Sequence, residues 1–292
     1  MSIKKAVTHN GDFHCDDIFG SALLRLCFPE IEIIRTREKE EIEKADLVFD
    51  VGGIYDRAKM RFDHHQNGGA GERSNGIPLA SFGLLWKEFG QKICGSQAIA
   101  FAIETRLVTP VDAIDNGIDI CVPKIPSVVP YSIQQMFSIF TPTWQEGDDR
   151  DPIFKKLSDL AMDVLKREIE VAKSFETAKA KVADLYLKST DKRILILDAQ
   201  YPVSLFQEYA DVLFVVYKGS LPDDYRVKAI RKSADCFDVR KQFPENWAGK
   251  EGDELVNITG VGDARFAHHK RFLVGAKSLE GAKELANIAL NA

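Results

Sequence analysis

The chain has 292 residues, 45% of them hydrophobic and 28% charged, a balance expected of a folded domain protein and not of a disordered or low-complexity chain. A formal charge of -5 and a pI near 5.8 exclude a surface built to clamp long nucleic acid indiscriminately, which needs broad positive charge. Five scattered cysteines form neither a disulfide framework nor a zinc knuckle, and no apolar run reaches the roughly 18 residues of a membrane span. With an opening Met1-Ser2-Ile3-Lys4-Lys5 that lacks a cleaved-signal pattern, a cytoplasmic protein with no membrane partner is expected.

The elements expected in chain order begin with a strand over residues 4–8, an amphipathic helix over 16–28 and strands over 31–35, 47–51 and 59–63. Helical periodicity resumes over 79–89, 96–107 and 112–118. A pattern without glycine or proline then runs from about 153 to 187, too long for an ordinary domain helix, and is taken as a connecting helix. Strands over 193–197, 211–217 and 225–230, a glycine-bearing loop around Gly260-Val261-Gly262 and a helix over 279–290 complete a second α/β region. The expected division is residues 1–150 as a metal-binding catalytic domain, 151–190 as the connecting helix, and 191–292 as a smaller substrate-binding α/β domain.

All six histidines fall in three clusters: His9 with His14, Asp63-His64-His65, and His268-His269-Lys270-Arg271. Imidazoles mixed with carboxylates and no paired cysteines form the donor set of manganese, cobalt or magnesium. His9 ends a strand, and His14 and Asp16 share one side if their loop is extended. Asp50 ends a buried strand, where its carboxylate can span two cations. Consecutive histidines cannot both face one ion, so one of His64 and His65 ligates while the other faces substrate, with Asp63 fixing a ring tautomer. Asp112 and Asp115 share a helical face, and one of them is a more distant ligand. Together His9, His14, Asp16, Asp50, His64 and Asp115 suffice for two cations sharing a carboxylate, a centre suited to in-line displacement at phosphorus.

These residues carry a resemblance. A histidine-acid loop, a strand-ending aspartate, Asp-His-His and a later aspartate resemble the DHH phosphoesterase superfamily. Thr8-His9-Asn10-Gly11, Phe13-His14-Cys15-Asp16, Arg35-Thr36-Arg37, Asp50-Val51-Gly52-Gly53, Asp63-His64-His65-Gln66, Asp112-Ala113-Ile114-Asp115-Asn116-Gly117 and Phe266-Ala267-His268 are more closely similar to the Myg (melanocyte-proliferating-gene) exonuclease family. The resemblance implies a DHH-phosphoesterase-like parallel sheet domain joined by a long helix to a smaller C-terminal α/β domain, and 3'-to-5' exonuclease activity on RNA with manganese-type ions. It implies that His9, His14 and Asp50 hold one cation, and Asp16, Asp50, His64 and Asp115 the other. His65, with Asp63, would serve the reacting phosphate. His14 stands where the wider superfamily places an aspartate, which biases that position toward nitrogen-preferring ions. The basic run His268, His269, Lys270 and Arg271, with Arg226 as a further candidate, would meet substrate phosphates.

The expected function is therefore a metal-dependent phosphodiesterase acting on RNA or short oligonucleotides through a metal-activated water. The alternatives are a small-molecule phosphohydrolase for pyrophosphate, phosphoadenosine phosphate or a cyclic dinucleotide, and a non-catalytic metal-binding interaction protein. A peptidase is disfavoured, because no His-Glu-x-x-His helix occurs. Oligomeric state is not legible in the sequence.

Overall fold

The structure is a computed structural model that describes residues 3–233 and 236–292. The chain divides into two units, Met1–Lys173 and Ser174–Ala292. In the first, β1 (Lys5–Thr8), α1 (Cys15–Cys27), β2 (Glu32–Arg35), α2 (Lys39–Lys44) and β3 (Leu47–Phe49) follow one another, and the three strands are parallel. A hairpin of β4 (Tyr55–Asp56) and β5 (Arg61–Phe62) completes the sheet in the order β2-β1-β3-β5-β4, with only β4 antiparallel. Because β1 lies between β2 and β3, the connections leave it toward opposite sides. That is a topological switch point, where the carboxyl ends of neighbouring strands leave a crevice. His9 follows β1 and Asp50 follows β3 at that point.

Alternation along the strands sends side chains to two buried faces. Ala6, Leu47, Phe49 and Phe62 join the main core with α1 and α3 (Ser81–Cys94), whereas Val7 and Val48 face Ile34 and Ile42 on the other side. Phe19 of α1 stacks on Phe82 of α3, with ring centroids 5.3 Å apart. α4 (Gln97–Ile103) passes through a π turn at Glu104–Val108 into α5 (Thr109–Asp115), so the two helices expected over 96–107 and 112–118 form one path. The Thr109 N–H reaches back to the Glu104 carbonyl, and the wider turn accommodates Pro110, which has no N–H to donate. α6 (Ile133–Ser138) seats Phe137 against Phe19.

α7 (Asp151–Lys188) is a helix of 38 residues, about 57 Å at 1.5 Å per residue. Phe154, Leu157, Ala161, Leu165 and Ile169 belong to the first unit's core, and Ala178 and Val182 to a cluster in the second. The second unit contains β6 (Ile194–Ile196), β7 (Phe214–Lys218), β8 (Tyr225–Ala229), α8 (Gly252–Thr259), β9 (Ala264–Ala267), β10 (Leu273–Ala276) and α9 (Leu279–Asn291). Its sheet order is β6-β7-β8-β10-β9, with β6 parallel to β7 and the other pairs antiparallel. Phe214 and Val216 face a core that includes Leu285 and Ala286 of α9, while Val215 and Tyr217 face the cluster containing Val182.

Several elements differ from the sequence expectation for local reasons. The strand expected over 59–63 starts only at Arg61, because the Asp56 carboxylate caps a tight turn through Ala58 and Lys59, and Met60 is left-handed. No helix was expected at α2, whose Lys-Glu-Glu-Ile-Glu-Lys sequence offers one apolar residue and hence no periodicity. α8, β9 and β10 were likewise not anticipated, and Gly260 in the expected loop is the left-handed C-cap of α8.

Phe49 is fully buried immediately before Asp50, with Gly20 of α1 packed on its ring. Phe49→Ala is expected to destabilise the first unit by about 3–5 kcal/mol, read as an earlier denaturant midpoint. A change below about 1 kcal/mol would show that this layer does not hold the strand.

Candidate metal centre

Asp50 leaves β3 with a left-handed backbone, φ 54°, a conformation that a short polar residue tolerates better than most. Its carboxylate is buried and meets two imidazoles on different oxygens. Nε2 of His9 lies 3.1 Å from Oδ2, and Nε2 of His64 lies 3.4 Å from Oδ1. The Ser81 hydroxyl also donates to Oδ1, at 3.3 Å. His64 Nε2 is in turn 3.3 Å from Oδ2 of Asp115. Asp115 ends α5, where the helix presents its negative end, so its carboxylate gains nothing from the helix and needs positive charge from outside.

Two further acids are fixed by the start of α3. Asp16 accepts the backbone N–H groups of Ser81 at 3.1 Å and Phe82 at 2.7 Å, and Asp112 accepts that of Gly83 at 3.0 Å. These are N–H groups that a helix start leaves without internal partners, at the positive end of its dipole. Arg73 donates to the other Asp112 oxygen at 2.6 Å and to Glu104 at 3.0 Å. Glycine is required at 83: a Cβ there would stand 1.8 Å from Asp112 Oδ2.

Asp17 is the residue that sequence reasoning missed. Its Oδ1 accepts the His14 N–H at 2.8 Å, capping α1, and its Oδ2 lies 3.3 Å from His9 Nε2. The signal that conceals it is the cap itself, since an aspartate in the first turn of a helix is ordinarily structural. The His14 ring is exposed and lies 5.7 Å from the His9 ring, centroid to centroid.

The electrostatics reflect this crowding of acids. Burial, then the Asp50 and Asp115 charges, push the Asp16 carboxyl well up. Burial pushes Asp17 up to about 7 against the pull of His9, and Asp112 up to about 7 against that of Arg73. Burial and Asp50 raise Asp115. Burial acts on Asp50 in the same direction, but the adjacent His64 and His9 imidazoles outweigh it and hold that carboxyl below its usual range. Burial disfavours charge on His9 and His64, yet their contacts with Asp50 and the neighbouring acids raise both.

The residues present fit divalent cations. Ligand atoms lie within 4.8 Å of one another in three groups: His9, Asp17 and Asp50; Asp16, His64 and Asp115; and Asp50, Asp63, His64 and His65. Among the described residues Asp17 Oδ2 and His64 Nε2 are buried with no hydrogen-bond partner. Of the residues singled out in the sequence, His9, Asp16, Asp50, His64 and Asp115 thus meet in the crevice. His14 lines a neighbouring cavity of about 630 Å³ with His9, Arg35 and Arg37. Asp63 is buried, accepts the Gly53 N–H at 2.5 Å and the His65 N–H at 3.1 Å, and meets His65 Nδ1 at 2.7 Å. The tautomer that Asp63 fixes is therefore that of His65, whose ring is 61% exposed. Asp112 is tied to Arg73 and α3, leaving Asp115 as the acid beside His64.

In the second unit His268, His269, Lys270 and Arg271 form the turn between β9 and β10 and line a cavity of about 720 Å³. Arg226 does not line it. Its guanidinium is held by the buried Asp224 carboxylate at 2.8 Å.

The profile of MYG1_exonuc, described as "Uncharacterised protein family (UPF0160)", matches residues 5–290. The chain is 32% identical to the MYG1 protein of Dictyostelium discoideum, with 100% of this chain and 98% of that one covered. It is 28% identical to the MYG1 exonuclease of Homo sapiens, over 99% of this chain and 86% of that one. Among solved structures, a pGpG-specific phosphodiesterase from Vibrio cholerae is similar at 10% identity and a TM-score of 0.35, covering 100% of this chain and 98% of that one. That likeness is too weak to bear on fold or chemistry. No helix among the described residues is long and apolar enough to cross a membrane.

The shifted groups set a pH dependence of stability. Between about pH 5 and 8 the raised carboxyls of Asp17 and Asp112 and the raised imidazoles of His9 and His64 bind more protons folded than unfolded, so each loses stability as pH rises. Asp50 acts oppositely, but its contribution is complete above its ordinary 3.8. The thermal midpoint of the cation-free protein is expected to fall across that window, and manganese should restore more of it at the alkaline end. A midpoint that stays flat or rises without metal contradicts the assignment.

Proposed function

This chain belongs to the MYG1 exonuclease family, and we propose that it is a divalent-metal-dependent phosphodiesterase that removes nucleotides 3'-to-5' from RNA or short oligonucleotides, with water as nucleophile. The observation that carries this reading is the Asp50 carboxylate, which faces His9 through one oxygen and His64 through the other at the strand switch point. One carboxylate shared between two donor groups is what a pair of cations requires, and such pairs suit in-line displacement at phosphorus. His9, Asp17 and Asp50 form one donor group. Asp16, His64 and Asp115 form the other, with Asp50 common to both. Manganese suits this mixture of imidazole and carboxylate, as do cobalt and, less well, magnesium. When bound, the cations supply positive charge at the phosphoryl centre and lower the pKa of water.

The chain's own groups supply the rest. Asp63, held by two backbone N–H groups, accepts the Nδ1–H of His65 and so turns Nε2 outward in a defined tautomer. Protonated, that Nε2–H donates to the leaving oxygen as the P–O bond breaks. The cavity next to His9 and His14 is lined by Arg35, Arg37 and Arg150 together with Asp12, Asp148, Asp149 and Asp151. Arg35 pairs with Asp151 at 2.7 Å, which leaves Arg37 as the arginine there that could meet a substrate phosphate. The basic turn at 268–271 offers a second place for phosphates.

Turnover of end-labelled RNA with manganese, compared with pyrophosphate and with dinucleotides, tests the reading. A ladder shortening from the 3' end, together with severe loss of rate in Asp50→Asn and His64→Ala, is expected. Equal or better rates on pyrophosphate would favour a small-molecule phosphohydrolase, and no turnover of any phosphoester would leave only a metal-binding interaction protein. The place of Asp17 is tested by calorimetric titration with manganese. Asp17→Asn should weaken binding by about 10-fold or more, the size seen when a group supporting a metal is lost, and His14→Ala should weaken it less. The reverse order would return the ligand role to His14.

A further inference from the structure

The loop between His9 and His14 is fixed from outside itself. Asn10, Gly11 and Asp12 are exposed, and Gly11 turns the chain with a left-handed backbone, φ 86°. The contacts that hold this turn come from β2 and the start of α7. Arg35 ends β2, across the ladder from Thr8, the residue before His9. Its guanidinium is a fork: Nη2 donates to the Gly11 carbonyl at 2.8 Å and Nη1 to the Asp151 carboxylate at 2.7 Å. The same group lies over the Phe154 ring, its carbon 4.5 Å from the centroid. Its Nε–H is buried with no hydrogen-bond partner among the described residues, a cost that the two bonds and the ring contact must offset.

A second arginine grips the same loop, and burial decides between the two. Arg150 donates to the Asp12 carboxylate at 3.0 Å, but that carboxylate is 66% exposed, where water screens an ion pair to little worth. The Arg35 side chain is 4% exposed, so its bond to the Gly11 carbonyl is made largely out of water and is the stronger tie. The loop in turn sets two of the candidate ligands. Asp17 faces the His9 ring with one oxygen and holds the His14 N–H with the other. Burial raises the Asp17 carboxyl to about 7, and the Arg35 charge is among those that pull against it, so the guanidinium is felt at that ligand as well.

We propose that Arg35 is a positioning residue for the metal centre: it ties the 9–14 loop to the start of α7, so that His9 and Asp17 are held ready for one cation, and it touches neither the cation nor the substrate. A lysine ammonium would keep the charge but lacks the planar fork that serves two acceptors and a ring face at once, so arginine is required. The inference rests on the proposed metal centre for its consequence, and not for the contacts that fix the loop.

Amide hydrogen exchange of the full chain in EDTA reads the loop, and calorimetric titration with manganese reads the centre. Arg35→Met keeps an apolar stem over Phe154 and removes both donors. The His14 amide, which Asp17 caps, is then expected to exchange at least about 10-fold faster, the scale of one hydrogen bond to a charged group, while amides in the middle of α1 keep their protection. Manganese should bind about 10-fold more weakly or worse, as when a group supporting a ligand is lost. Arg35→Lys should resemble Arg35→Met in both measurements. Unchanged His14 exchange, equal acceleration throughout α1, undiminished manganese affinity in Arg35→Met, or full rescue by lysine overturns the proposal. Absence of manganese binding in the unsubstituted protein would instead strike the metal centre itself, and exchange would still decide whether Arg35 fixes the loop.

Discussion

The first unit is organised around a repulsion. Asp16, Asp17, Asp50, Asp112 and Asp115 converge at the carboxyl ends of β1 and β3, and four of the five have carboxyls pushed upward by burial. Removing like charges from water is costly unless something of opposite sign answers them. The protein answers with what its fold already offers: the start of α3 for Asp16 and Asp112, Arg73 for Asp112, and the His9 and His64 imidazoles for Asp50. Asp17 Oδ2 remains without a hydrogen bond. The shortfall in positive charge is the local reason to expect cations, and it arises from topology, since the order β2-β1-β3 brings His9 and Asp50 together.

The parts legible in the sequence were those whose signal is local and periodic. The strand ends carrying His9 and Asp50, the α1 helix and the long α7 all announce themselves by apolar spacing. Asp50 stands out because an acid closes an apolar strand, whereas the residue pattern singles out His64 and Asp115 only as members of the pairs His64–His65 and Asp112–Asp115. Hidden features were those decided by partners distant in sequence. That Asp112 is bound by Arg73 and Gly83 while Asp115 turns to His64 depends on where α3 starts, which no spacing between the two acids reveals. Asp17 was hidden by its double use, one oxygen capping a helix and the other facing His9.

Loop chemistry in the second unit was similarly opaque. The basic run at 268–271 reads as a charged loop, and its surroundings emerge only when β8, β9 and β10 pair and bring Lys228 and Phe272 beside it. Arg226, two residues from Lys228 on the same strand, is instead drawn to Asp224. Charge in the sequence thus identifies a cationic segment, while strand pairing brings Lys228 beside it and the Asp224 side chain takes up Arg226.

The left-handed backbone at Asp50 has a consequence for how this chain can diverge. Most side chains are strained there, but glycine and asparagine are at ease. The residues the backbone accepts most readily are therefore those that remove the shared negative charge while preserving the turn. A descendant could lose its chemistry in one substitution and keep its architecture, so the fold would persist as a vacant scaffold open to other uses.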